Sequence, residues 1–186
     1  MNDTTDTTDT TDTTPAQTTY NNQGRIAFYH ANGKGTGAAL RFEFKPPLGR
    51  RNGCFFMEMA KQKTAASGAR GERTPATFDW ESKATVKLSF MDACEFLAVL
   101  QLKQPSMGLN GKGLYHVNGD KDTMIGLRTN TERKGYTVGI SRKDKQGQQI
   151  FKGHFLISPT EAIGLEAIFS AALFHMAFGN VTAEAA

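Results

Sequence analysis

Basic and aromatic side chains recur together in this chain at the spacing of extended backbone. Lys45, Lys61, Lys83, Lys87, Arg128, Arg142, Lys143 and Lys152 lie on or beside strand-like runs, with Tyr29, Phe56, Trp80, Tyr115 and Tyr136 interleaved. Arg41 belongs to the same pattern, in AALRFEFK. Such a mixture suits one kind of chemistry, in which unpaired bases stack on rings while Lys and Arg follow the phosphates. Each stacked base is worth roughly 1–3 kcal/mol, and each phosphate contact adds salt dependence. For any single Phe, core packing is the competing role. Trp80, flanked by the polar Asp79 and Glu81, is a candidate for surface stacking.

Charge points the same way. The chain carries a net +4, yet residues 1–20 hold four Asp and no Lys or Arg, so the remainder carries +8. A folded part this basic favours polyanionic partners. Other chemistry finds little support. Cys54 and Cys94 sit in apolar runs and are expected to be buried reduced thiols. His30, His116, His154 and His175 show no metal-ligand spacing, so neither metal nor cofactor is expected. GKGTG at 33–37 leads into a strand and does not complete a P-loop. Cys94 has no His placed beside it by sequence, and His154 reads as a surface or half-buried strand residue rather than a base. A binding protein is expected, not an enzyme.

These side chains need a platform, and the chain writes one twice. Strands are predicted over 25–31, 38–45, 54–62 and 78–89, followed by a helix over 90–103. A Gly-rich linker, PSMGLNGKG, intervenes. Strands are then predicted over 113–119, 123–131, 135–143 and 148–158, before a long helix ending near Gly179. Both joints pass from strand to helix through a Ser followed three residues later by an acid: Ser89 and Asp92, then Ser158 and Glu161. That is a capping-box pattern, with Pro159 at the first helical position of the second copy. Setting Ser89 over Ser158 also brings Ala93 to Ala162, Phe96 to Leu165 and Ala98 to Ala167. We therefore expect an α+β fold built from a duplicated ββββα unit, with repeats near 25–104 and 113–179 and two four-stranded antiparallel sheets. Each sheet would bury one face and offer the other.

Residues 21–179 are expected to form one domain. MNDTTDTTDTTDTTPAQTT, with almost nothing apolar, reads as a disordered acidic leader over 1–20, and 180–186 as a short tail. AIGLEAIFSAALFHMAFG is apolar nearly all round, which predicts a homo-oligomer assembled through the helices. The stretch Ile163–Phe178 contains Glu166 and His175 and reads as too short and too polar to span a bilayer, so no membrane is expected. Neither a signal-peptide nor a transit-peptide pattern opens the chain, which points to a cytoplasm-type compartment.

Three stretches resemble the Whirly family. GKGTGAALRFE is similar to its lysine-glycine-lysine-alanine-alanine-leucine signature, with an insertion; FDWESKATVKLS resembles its Tyr-Asp-Trp strand; FLISPTEAIGLEAIFSAALFHMAFG is similar to its final strand and C-terminal helix. The resemblance covers about Gly24 to Gly179. It implies two four-stranded sheets packed nearly at right angles with helices in the middle, a tetramer, and single-stranded DNA bound along the sheet edges with little sequence preference. The signature maps onto Lys34, Ala38, Ala39 and Leu40, and the aromatic strand onto Phe78, Asp79 and Trp80. An acidic Thr-rich leader stands where plant members carry transit peptides, which fits a bacterial, phage or other distant relative. The DNA processes open to such a protein are replication, repair, recombination and transcription. RNA is the alternative ligand, since stacking and phosphate tracking do not separate it from DNA. A structural oligomer whose sheets bind protein is the third reading.

Overall fold

The computed structural model describes residues 24–68 and 72–179; the Asp-Thr-Thr leader and the tail 180–186 lie outside them. The first sheet holds β1 (Arg25–His30), β2 (Ala38–Lys45), β3 (Cys54–Thr64), β4 (Thr77–Phe78) and β5 (Ala84–Leu88), all antiparallel. β4 and β5 both pair with the same side of β3, so together they fill one position in the sheet. The run 78–89, expected as a single strand, is interrupted. Ser82 N–H donates to Asp79 Oδ1 at 3.1 Å, and Trp80 N–H to the Phe78 carbonyl at 3.0 Å. An Asp side chain that captures a nearby N–H gives the backbone an alternative to the ladder.

The second sheet is continuous, with β6 (Leu114–Asn118), β7 (Lys121–Asn130), β8 (Gly135–Asp144) and β9 (Gln149–Ile157) in chain order. Helix α1 (Phe90–Leu100) follows the first sheet and α2 (Pro159–Phe178) the second. Both predicted capping boxes form, with Ser89 and Ser158 each exchanging hydrogen bonds with the acid three residues on. α1 stops short of the predicted Lys103, because Leu102 adopts a left-handed φ of 57°.

One apolar core joins the two halves. Leu40, Phe42, Phe55, Met57 and Met59 come from the first sheet, and Ile125, Leu127, Val138, Ile140 and Phe155 from the second. Phe169 of α2 lies at its centre, stacked on Phe55 at 4.5 Å and on Phe96 of α1 at 4.9 Å, with Phe42 edge-on at 5.5 Å. The halves are also clasped reciprocally. His30 at the end of β1 reaches the capping acid of α2, Glu161, at 2.8 Å, while His116 of β6 reaches the capping acid of α1, Asp92, at 3.5 Å. The first strand of each half thus meets the helix cap of the other.

α2 departs from one expectation and leaves one side open. It has 20 residues and, by length and composition alone, is apolar enough to cross a membrane, whereas the sequence pattern suggested a shorter and more polar stretch. It is nevertheless committed to the core through Ala162, Leu165, Phe169, Ala172 and Met176. It is also not buried on most sides. Ile163, Phe174 and Phe178 remain 70%, 54% and 70% exposed on its outer side.

The glycine-rich turn between β1 and β2 is structural. Asn32 Oδ1 accepts from the N–H groups of Lys34 and Thr36, and Gln62 Oε1 from those of Asn32 and Gly37. A Cβ on Gly37 would lie 2.2 Å from the His30 backbone carbonyl, which cannot swing aside, so only glycine fits.

Candidate nucleic-acid interface

Strand alternation sends two sets of side chains away from the shared core. On the first sheet these are Tyr29 from β1, Arg41, Glu43 and Lys45 from β2, Phe56 and Glu58 from β3, and Thr85 and Lys87 from β5. Ladder pairing sets Arg41 beside Glu58 and Glu58 beside Thr85. The Glu58 carboxylate is accordingly crowded with donors. It accepts from Arg41 Nε at 2.6 Å and from Thr85 Oγ1 at 3.1 Å, and pairs with Lys83 Nζ at 3.0 Å. Burial pushes its pKa up, but the Lys83 and Arg41 hydrogen bonds together outweigh that and hold it below the ordinary carboxyl value. Glu43 does the same for Lys45 and Arg25. The Lys45 hydrogen bond leads in lowering its pKa, against burial and with help from Arg25.

Rings close this face further. The Arg41 guanidinium lies 4.4 Å from the Trp80 ring centre. Tyr29 contacts Phe78 at 5.5 Å and Trp80 edge-on at 6.3 Å. The interruption at 79–83 is what carries Trp80 over the sheet. Phe56 is half-buried between Glu43 and Lys87 in the ladder. Lys87 is exposed and takes part in none of the ion pairs among the described residues.

The open face of the second sheet differs in kind. Tyr115, Met124, Gly126, Arg128, Gly139, Lys143, Lys152 and His154 lie on it by alternation and register. Between them runs a groove of about 620 Å³, lined by Met124, Gly126, Arg128, Gly139, Lys152 and His154 among others. None of the ion pairs among the described residues involves Arg128, Lys143 or Lys152.

The remaining predicted site residues fall elsewhere. Tyr136 points inward and is buried, its hydroxyl donating to the Leu100 carbonyl at 2.7 Å, so it is a core residue rather than a stacking platform. Arg142 also follows the inward alternation. Its Nε donates to Thr123 Oγ1 at 2.9 Å and its Nη2 to the Thr85 carbonyl at 2.6 Å, bolting the second sheet to the edge of the first. Burial lowers its pKa. Lys61 takes the opposite side of β3 from Glu58 and sits 5.4 Å from the Phe151 ring. Lys34 is exposed at the tip of the glycine-rich turn, away from both rows. Sequence reasoning missed Gly126, Gly139, Met124 and Arg133 as groove residues; the only trace of the first two was a Gly inside each of two strand patterns. His154, read from sequence as a surface or half-buried strand residue, is an exposed wall of the groove. Among the described residues no three His, Cys, Asp or Glu side chains cluster around a metal-sized site.

Two open antiparallel faces backed by capped helices define the fold class of the Whirly proteins. The fold matches WHY3 from Arabidopsis thaliana with a TM-score of 0.63 over 83% of this chain and 89% of that one, at 16% identity. It also matches the plant transcriptional regulator PBF-2, with a TM-score of 0.57 over 87% and 90% at 17% identity. A guide-RNA-binding protein complex bound to a guide RNA has the same fold, with a TM-score of 0.57 over 83% and 92% at 14% identity. No family model matches the sequence, and no curated protein matches it. At these identities the comparisons establish the fold that the sequence motifs had implied.

Proposed function

We propose that this chain binds single-stranded DNA with little sequence preference and serves replication, repair, recombination or transcription. One observation carries the reading: on the second open face Arg128, Lys143 and Lys152 take part in none of the ion pairs among the described residues, and Arg128 and Lys152 line a groove with His154. Free cations follow phosphates, and rings take bases. A bound guide RNA on a protein of this fold favours RNA as the second reading. The role is binding rather than catalysis, in a cytoplasm-type compartment where Cys54 and Cys94 stay as free thiols.

Assembly follows from α2. Its exposed Ile163, Phe174 and Phe178 form an apolar stripe that a second copy would cover, and a homotetramer is the assembly we propose.

The test is a pair of charge reversals, Arg128→Glu with Lys152→Glu. Affinity for a single strand is expected to fall, and the slope of log affinity against log salt to flatten by roughly 0.7 for each phosphate that is no longer neutralised. An unchanged slope removes these two residues from the interface.

A further inference from the structure

The two halves carry equivalent rows of residues across their open faces and fill them differently. The helix caps fix the equivalence, Ser89 with Ser158. Counting back sets Thr85 over His154 and Lys83 over Lys152. Strand pairing extends it across each sheet. Thr85 lies opposite Glu58 and Glu58 opposite Arg41. His154 lies opposite Gly139 and Gly139 opposite Gly126. The next row equates Glu43 with Arg128, and the outer strands equate Tyr29, opposite Ala39, with Tyr115, opposite Met124. Both tyrosines are open, 57% and 59% exposed.

The central row of the first half is therefore filled by Arg41, Glu58 and Thr85, locked by Lys83 and roofed by Trp80. The same row in the second half is Gly126, Gly139 and His154. Both carboxylates of the first face are gone from the second, replaced by Gly139 and Arg128. Lys152, the equivalent of Lys83, is left without the partner that Glu58 provides.

Packing does not explain the two glycines. A Cβ on Gly126 would meet nothing within 4 Å, and one on Gly139 only the Gly153 carbonyl at 3.8 Å. Neither has a positive φ. Glycine inside a strand costs roughly 0.5–1 kcal/mol and marks places where another molecule approaches the backbone.

We propose that the Gly126–Gly139 strip is a seat for one unpaired nucleotide. The base lies flat on bare backbone, bordered by Met124 and His154, and its flanking phosphates meet Lys152 and Arg128. The central row of the first face is the closed counterpart, with Arg41 and Lys83 held by Glu58, so the base is seated on the second face. Asn130 donates to Thr137 at 3.0 Å and Ser141 to Gln149 at 3.3 Å, so two of the groove's polar side chains are already engaged within the protein.

This inference rests on the nucleic-acid reading above, and the experiment separates the two. Gly126→Arg with Gly139→Glu rebuilds the ion pair of the first half on the second sheet without changing net charge. Gly126→Ile fills the strip without charge. Oligothymidine binding to full-length protein is measured by fluorescence anisotropy, with thermal melting to confirm folding. Each folded variant is expected to bind about tenfold more weakly than wild type, as one base is displaced from its seat. Wild-type protein that binds no single strand overturns the function and the seat together. Wild type that binds, with a folded Gly126→Ile that binds equally well, overturns the seat alone.

Discussion

Glu58 shows how a single residue decides whether a cation is available. Three donors converge on its carboxylate, which leaves Arg41 and Lys83 committed to the protein itself. Glu58→Gln keeps the shape and removes the charge; we expect a loss of roughly 1–3 kcal/mol in chemical denaturation. The sign with pH follows from its lowered pKa. A depressed carboxyl contributes stability that is fully present above its ordinary value of 4.5 and is lost as pH falls through the folded value. The melting-temperature gap between wild type and Glu58→Gln is therefore expected to narrow on acidification below that value. A gap that stays constant contradicts this role for Glu58. The same residue explains why the sequence misleads at this scale. Arg41, Lys83 and Lys152 look alike as letters, but whether each is free depends on what register sets across from it.

Elements are legible where the physics is local. Alternation in AALRFEFK and the Ser-to-acid joints need only neighbouring residues to be read, and both joints form as written. Ser158→Ala is expected to cost about 1 kcal/mol through loss of the α2 cap. Glu161→Ala is expected to cost more, because Glu161 also holds Ser158 N–H and His30. Equal losses in urea unfolding would show that the His30 clasp contributes nothing. What the letters hide is non-local. Tyr136 and Arg142 fall on the inner face, not the outer one expected of them, because their alternation depends on which side of β8 the core occupies. The Asp79–Ser82 turn is hidden in a run whose letters still alternate. Its consequence, a Trp set over an Arg, needs three dimensions to see.

At the scale of the whole molecule, a duplicated frame carries two unlike faces on one core. Phe169 binds both sheets' helices into that core, and Phe169→Ala is expected to cost about 3–5 kcal/mol in a single cooperative transition. The proposed homo-oligomer is tested on the outer side of α2: Ile163→Glu with Phe174→Glu is expected to lower the mass seen by light scattering, and an unchanged mass would contradict assembly through this helix. Binding is the central claim, and it makes one demand that duplex cannot meet, since stacking requires unpaired bases. The most direct measurement is a titration of labelled single-stranded DNA and the matching duplex at two salt concentrations. Tighter binding of the single strand at both salts, with affinity falling as salt rises, is the expected result. Duplex binding as tight or tighter would contradict the account.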